Sequence, residues 1–183
     1  NIYYENQGNG TFIDKSTEFG LENGTYATFM GVWFDYNNDH LIDLHVINDR
    51  DFGEDALYEN QGNSFINIAS NVGIINTGQN PMTSSISDYN NDGFQDIFVT
   101  DFGTDSIITG AGPYHYKLFQ NQNGVSFENV AESYDMHIND FGWGALWVDY
   151  NNDMYEDLYV ATGNTINNQG AHTAPVFYRN DAG

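Results

Sequence analysis

The chain has 183 residues, with 26 acidic against 4 basic side chains and a formal charge of -22. Four basic residues cannot neutralise a run of phosphates, which excludes nucleic acid and anionic membrane surfaces as partners. No apolar run approaches the roughly 20 residues of a spanning helix, and the lack of cysteine removes disulfides, thiolate metal sites and cysteine nucleophiles.

Aromatic side chains make up 16% of the chain, enough to build a core despite the charge. In chain order, the first element is an outer hairpin in YYENQGNGTF from Tyr3, its second strand ending near Asp14. Thr28–Asp35 (TFMGVWFD) then reads as a strand of small, β-branched and aromatic residues that runs into the turn DYNND and out into a strand at Leu44–Ile47. LYENQGNSF from Leu57 supplies the next hairpin, ending near Asn67. The same order returns with Met82–Asp88, DYNND, Ile97–Thr100 and LFQNQNGVSF from Leu118, ending near Asn129. It returns again with Trp143–Asp149, DYNND, Leu158–Ala161 and VFYRNDAG from Val176. The only helical candidate is a short stretch at Val130–Tyr134.

These elements form an internal repeat. DYNND begins at Asp35, Asp88 and Asp149, at spacings of 53 and 61 residues. Each repeat holds four strands. Four residues before each turn stands a small residue (Gly31, Ser84, Ala145), and two before it a large apolar one (Trp33, Ile86, Trp147), as a crowded inner strand requires. The chain opens at Asn1 without Met, late in one repeat, and stops early in another. It therefore reads as a stretch of a longer array.

The chemistry is expected in the turn. Acidic and amide oxygens at alternate positions (DxNxDxxxD) can be aimed at one point by a tight loop, and carboxylates so close together call for a hard cation. The expected calcium ligands are the side chains at positions 1, 3, 5 and 9 and the backbone carbonyl at position 7. They are Asp35, Asn37, Asp39, Leu41 and Asp43 in the first loop and Asp88, Asn90, Asp92, Phe94 and Asp96 in the second. In the third they are Asp149, Asn151, Asp153, Tyr155 and Asp157. Position 12, where a helix-loop-helix site needs Glu, is Val46, Val99 and Val160, so each site joins two strands.

Repeats of this kind resemble the FG-GAP or VCBS repeats of calcium-binding β-propellers, such as those of integrin α-subunits and many secreted bacterial proteins. DYNNDGFQDIFV and LYENQGN match the pattern, and EFGL, DFGE, DFGT and DFGW echo its Phe-Gly element. The resemblance implies an all-β fold of four-stranded propeller blades, each with its calcium loop between the two inner strands. Residues 1–27 would be outer strands of a preceding blade, 28–81 and 82–141 complete blades, and 142–183 an incomplete one. Position 6, a Gly in the family, is Gly93 only in the second loop, with His40 and Met154 in the others, which ranks the loops for calcium as second, first, third.

Other residues receive plainer readings. Tyr36, Tyr89 and Tyr150 are expected to pack beside the loops, Trp33, Trp143 and Trp147 in blade cores, and His40, His45, His115, His137 and His172 on the surface or in loops. No nucleophile, phosphate or dinucleotide motif appears, no catalytic residue stands out, and the chain is not expected to be an enzyme. Phe102–Tyr116, the longest connection, is the first place expected to hold a partner site. The expected function is a calcium-stabilised module for protein or glycan binding and adhesion in a secreted or cell-surface protein. The alternatives are a structural subunit whose unclosed blades pair with neighbouring chains, or the scaffold of an extracellular enzyme.

Overall fold

A computed structural model describes residues 2–22, 24, 26–49, 54–74, 80–101, 114–138, 142–163 and 174–181. The fold is all-β. Strands β1 (Tyr4–Asn6) and β2 (Phe12–Asp14) form a hairpin. Strands β3 (Ala27–Phe34), β4 (Asp43–Asp49), β5 (Ala56–Asn60) and β6 (Phe65–Asn67) form a four-stranded antiparallel meander. A second four-stranded sheet is built from β7 (Pro81–Ser87), β8 (Asp96–Asp101), β10 (Lys117–Asn121) and β11 (Phe127–Asn129). A third, of three strands, contains β13 (Gly142–Val148), β14 (Asp157–Thr162) and β15 (Val176–Tyr178). The short strands β9 (Tyr114–His115) and β12 (His137–Ile138) pair with each other outside these sheets. The three larger sheets are consistent with partial propeller blades; the strands read from Thr28 onward lie within them, and the first hairpin forms the separate β1–β2 sheet. The connection 102–113 lies outside the described residues, as does His172.

The first two blades bury both faces of their second strand, so that strand shows no polar face in the sequence, whereas in the third Tyr159 of β14 is exposed. In β8, Ile97 and Val99 point into a core shared with the first blade, whereas Phe98 points into a core shared with the third. Ile97 and Phe98 are both fully buried, and each contributes about 2 kcal/mol by leaving water. β4 repeats this arrangement, with Val46 facing the β1–β2 side and Ile47 the second blade. The blades are thus held together by cores between sheets, with the inner strands β3, β7 and β13 side by side.

Two expectations need correction. Short helices α1 (Ser16–Phe19) and α2 (Ala69–Val72) accompany the 3-10 turn at Ala131–Tyr134, where only the last was foreseen. All three start where a side chain ending the outer strand accepts a backbone N–H: Asp14 from Ser16, Asn67 from Ala69 and Asn129 from Ala131. Four residues are too few to show a helical period. His45 is not on the surface or in a loop but fully buried in β4, with Nδ1 2.8 Å from Ser84 Oγ of the next blade. It holds the position that is Phe98 in β8 and Tyr159 in β14, a place for a large flat ring.

Candidate metal loops

Each DYNND turn joins the first and second strands of its blade, and all three fold alike. Side chains from positions 1 and 3 close the turn on the backbone of position 5. Asp35 Oδ1 and Asn37 Oδ1 accept the Asp39 N–H at 3.2 and 3.1 Å, and Asp35 Oδ2 accepts that of His40 at 2.9 Å. Asp39 Oδ1 accepts the N–H of Leu41 at 2.8 Å, and its Oδ2 takes a hydrogen bond from the Asn37 amide at 3.1 Å. The same five bonds recur around Asp88, Asn90 and Asp92 and around Asp149, Asn151 and Asp153. The turn requires left-handed backbone at positions 4 and 6. Asn38, Asn91 and Asn152 take φ of 60°, 56° and 60°, and His40, Gly93 and Met154 take 69°, 91° and 73°. Met154 adopts this conformation despite its side chain, which extends into solvent and meets no crowding.

Position 9 starts the second strand and is buried in every blade, Asp43 and Asp157 completely and Asp96 to 1% exposure. Its carboxylate ties the turn to the third strand. Asp43 accepts the N–H of Tyr36 at 3.1 Å and that of Asn60 at 2.8 Å, and Asp157 accepts those of Tyr150 and Asn180 at 3.4 and 2.8 Å. Asp96 accepts the Asn121 N–H at 2.7 Å with Oδ1, and the Tyr89 N–H lies against its carboxylate as the Tyr36 N–H does against Asp43. Burial pushes the Asp43 carboxyl up to about 6 against the two N–H bonds, with Asp39 and Asp35 adding to the rise. Burial likewise lifts Asp96 to about 7, opposed by the Asn121 N–H and assisted by Asp92 and Asp88. In both, burial disfavours the charged carboxylate more than the N–H bonds favour it.

The predicted residues come together at positions 1, 3 and 5, and position 9 is linked to them through the position-2 N–H. Among the described residues no three His, Cys, Asp or Glu side chains converge on one point. Position 3 is Asn, and the position-9 oxygens turn toward N–H groups of their own blade. The donor set nonetheless suits a hard cation. Each loop offers three carboxylates and an amide oxygen whose remaining lone pairs are free to coordinate. The third-strand asparagines Asn60, Asn121 and Asn180 were not foreseen as part of the site. Their signal was the Asn shared by YEN, FQN and YRN.

Tyr36 and Tyr89 pack beside their loops as expected, Tyr36 against Phe127 and Tyr89 stacked on Trp147 at 6.1 Å, whereas Tyr150 is half exposed. Trp147 joins the core between the second and third blades, and Trp33 packs on Tyr3 and Phe65 while half exposed. Trp143 is also substantially exposed.

Stacked antiparallel sheets, each with an acidic turn between its first two strands, define a repeat protein built of β-propeller-like blades. Residues 35–99, from the first loop through most of β8, match the sequence profile of the FG-GAP-like repeat. No curated protein matches the chain. No helix among the described residues is long and apolar enough to cross a membrane.

Proposed function

We propose that the chain is a calcium-stabilised propeller module of a secreted or cell-surface protein that presents its loops to a protein or glycan, rather than an enzyme. The supporting observation is the oxygen-rich strand-loop-strand turn that occurs three times, each with a buried aspartate at position 9. Calcium bound only by folded loops stabilises by mass action, about 2.7 kcal/mol at a hundredfold excess over the dissociation constant. The extracellular assignment follows from the millimolar calcium that weak loops need. Thermal melts in excess chelator, in millimolar calcium and in magnesium test the reading. A calcium-specific rise in midpoint, reduced in Asp88→Ala, is expected, and an unchanged midpoint refutes it.

A further inference from the structure

Each ion loop touches its neighbour through two asparagines. The position-4 side chain of one loop reaches the position-6 carbonyl of the next: Asn38 Nδ2 donates to Gly93 O at 2.9 Å, and Asn91 Nδ2 donates to Met154 O at 2.9 Å. These links run from loop to loop along the array. A second set runs backwards from the third strands. Asn121 Nδ2 donates to Tyr36 O at 2.8 Å, and Asn180 Nδ2 donates to Tyr89 O at 2.7 Å.

These contacts act on peptide units that also carry loop geometry. The Gly93–Phe94 peptide is held on its carbonyl by Asn38 and on its N–H by Asp92 Oδ1 at 2.9 Å. Asp92 is a candidate ligand at position 5, and Phe94 bears the candidate carbonyl at position 7. Tyr36 is held on its carbonyl by Asn121 and on its N–H by Asp43, a candidate ligand at position 9. Asn121 in turn is fixed by Asp96, the position-9 residue of the second loop. Ordering the first loop therefore orders the peptide planes of the second, and the reverse holds through Asn121. The left-handed backbone at Asn38 and Asn91 aims both side chains across the gap.

We infer that Asn38 and Asn91 are positioning residues that couple neighbouring ion loops, so that the loops take up calcium cooperatively. This inference rests on the calcium reading above. Coupling requires two sites and an element that both bias, and it acts reciprocally. Here the shared elements are the Gly93–Phe94 peptide and its counterpart Met154–Tyr155.

Calorimetric titration of calcium into the chelator-stripped chain tests it, with Asn38→Gly, Asn91→Gly and the double variant. Glycine adopts the left-handed backbone without strain, so these variants remove the amide donor and leave the turn intact. The chain is expected to fill its loops with a Hill coefficient above unity. Each single variant should weaken apparent affinity about fivefold, the worth of one hydrogen bond, and the double variant should titrate with a smaller Hill coefficient, only the Asn121 and Asn180 links remaining. A steep curve unchanged in the double variant overturns the coupling. So does a chain that binds calcium with no steepness at all, although the ion sites then stand. A chain that takes up no calcium overturns the calcium reading itself and the coupling with it. Melts in chelator supply the structural control. If the double variant lowers the midpoint equally with and without calcium, the asparagines only brace the blades.

Discussion

Gly73 closes α2 with φ of 88°, and a Cβ built on it would lie 2.6 Å from the backbone carbonyl oxygen of Phe127 in the next blade. Gly62, in the hairpin between β5 and β6, has nearly the same φ of 85° but meets nothing within 4 Å. Replacing each by alanine separates conformational strain from contact. The left-handed conformation costs alanine about 1 kcal/mol at either site. At Gly73 the added methyl must also push back a strand backbone, and overpacking of that kind costs about 2 kcal/mol more. Gly73→Ala should therefore lose about 3 kcal/mol and Gly62→Ala about 1. In a domain of this size each kcal/mol moves the melting midpoint by about 3 °C, so the expected shifts are about 9 and 3 °C. Parallel thermal melts followed by near-ultraviolet dichroism measure both. Equal shifts would falsify the reasoning, because they would mean that α2 does not press on β11.

Asn121, buried, donates to the carbonyls of Tyr36 and Gln95 and accepts from the Gly124 N–H, so Asn121→Ala should cost about 3 kcal/mol in urea unfolding. Asn60→Ala, whose amide donates to the Ile42 carbonyl and accepts from the Gly62 N–H, both exposed, should cost about 1 kcal/mol, and similar losses at both positions would contradict the bridging role of Asn121. His45 pairs with Ser84 through Nδ1 but leaves Nε2 buried without a partner. His45→Phe combined with Ser84→Ala copies the pair Phe98 and Ala145 of the next interface, and should raise stability by about 1 kcal/mol; a loss would show that the imidazole has a use the packing does not reveal. Burial raises the Tyr58 phenol above its ordinary range. The neutral phenol is favoured in the folded state, so its share of stability is whole below pH 10 and disappears as pH rises through the raised folded value. Tyr58→Phe should keep its melting midpoint further into alkali than the parent chain, and coincident alkaline limbs would rule the effect out.

Much of this architecture was legible because the sequence states it three times. One DYNND turn is an ordinary Asn-rich turn, but three with the same strands on either side fix the repeat, and the repeat fixes the blade. The inner strands were readable from pairs such as Ala145 and Trp147, which need alternating small and large space on one face. Less was legible wherever the meaning of a residue depends on the neighbouring blade. His45 reads as a polar residue in a short strand, and only packing against Ser84 across the interface makes it a core residue. Asn38 looks like one more turn residue, because its acceptor lies 55 positions away. The position-9 aspartates were expected from their spacing. Their orientation toward N–H groups of the third strand depends on a contact from Asp43 to Asn60 that no local pattern encodes.

The carboxylate at position 9 sets a length standard for one end of every blade. Because it grips the chain both at position 2 and on the third strand, adding a single residue between Tyr36 and Asp43 would break one grip or the other. The opposite end obeys no such standard. There the connection between the second and third blade strands spans 6 residues from β4 to β5, 15 from β8 to β10 and 13 from β14 to β15. The molecule thus has a gauged rim and an ungauged one. New sequence can enter at the second rim without disturbing the first, so successive repeats can diverge in what they display while remaining interchangeable in how they stack.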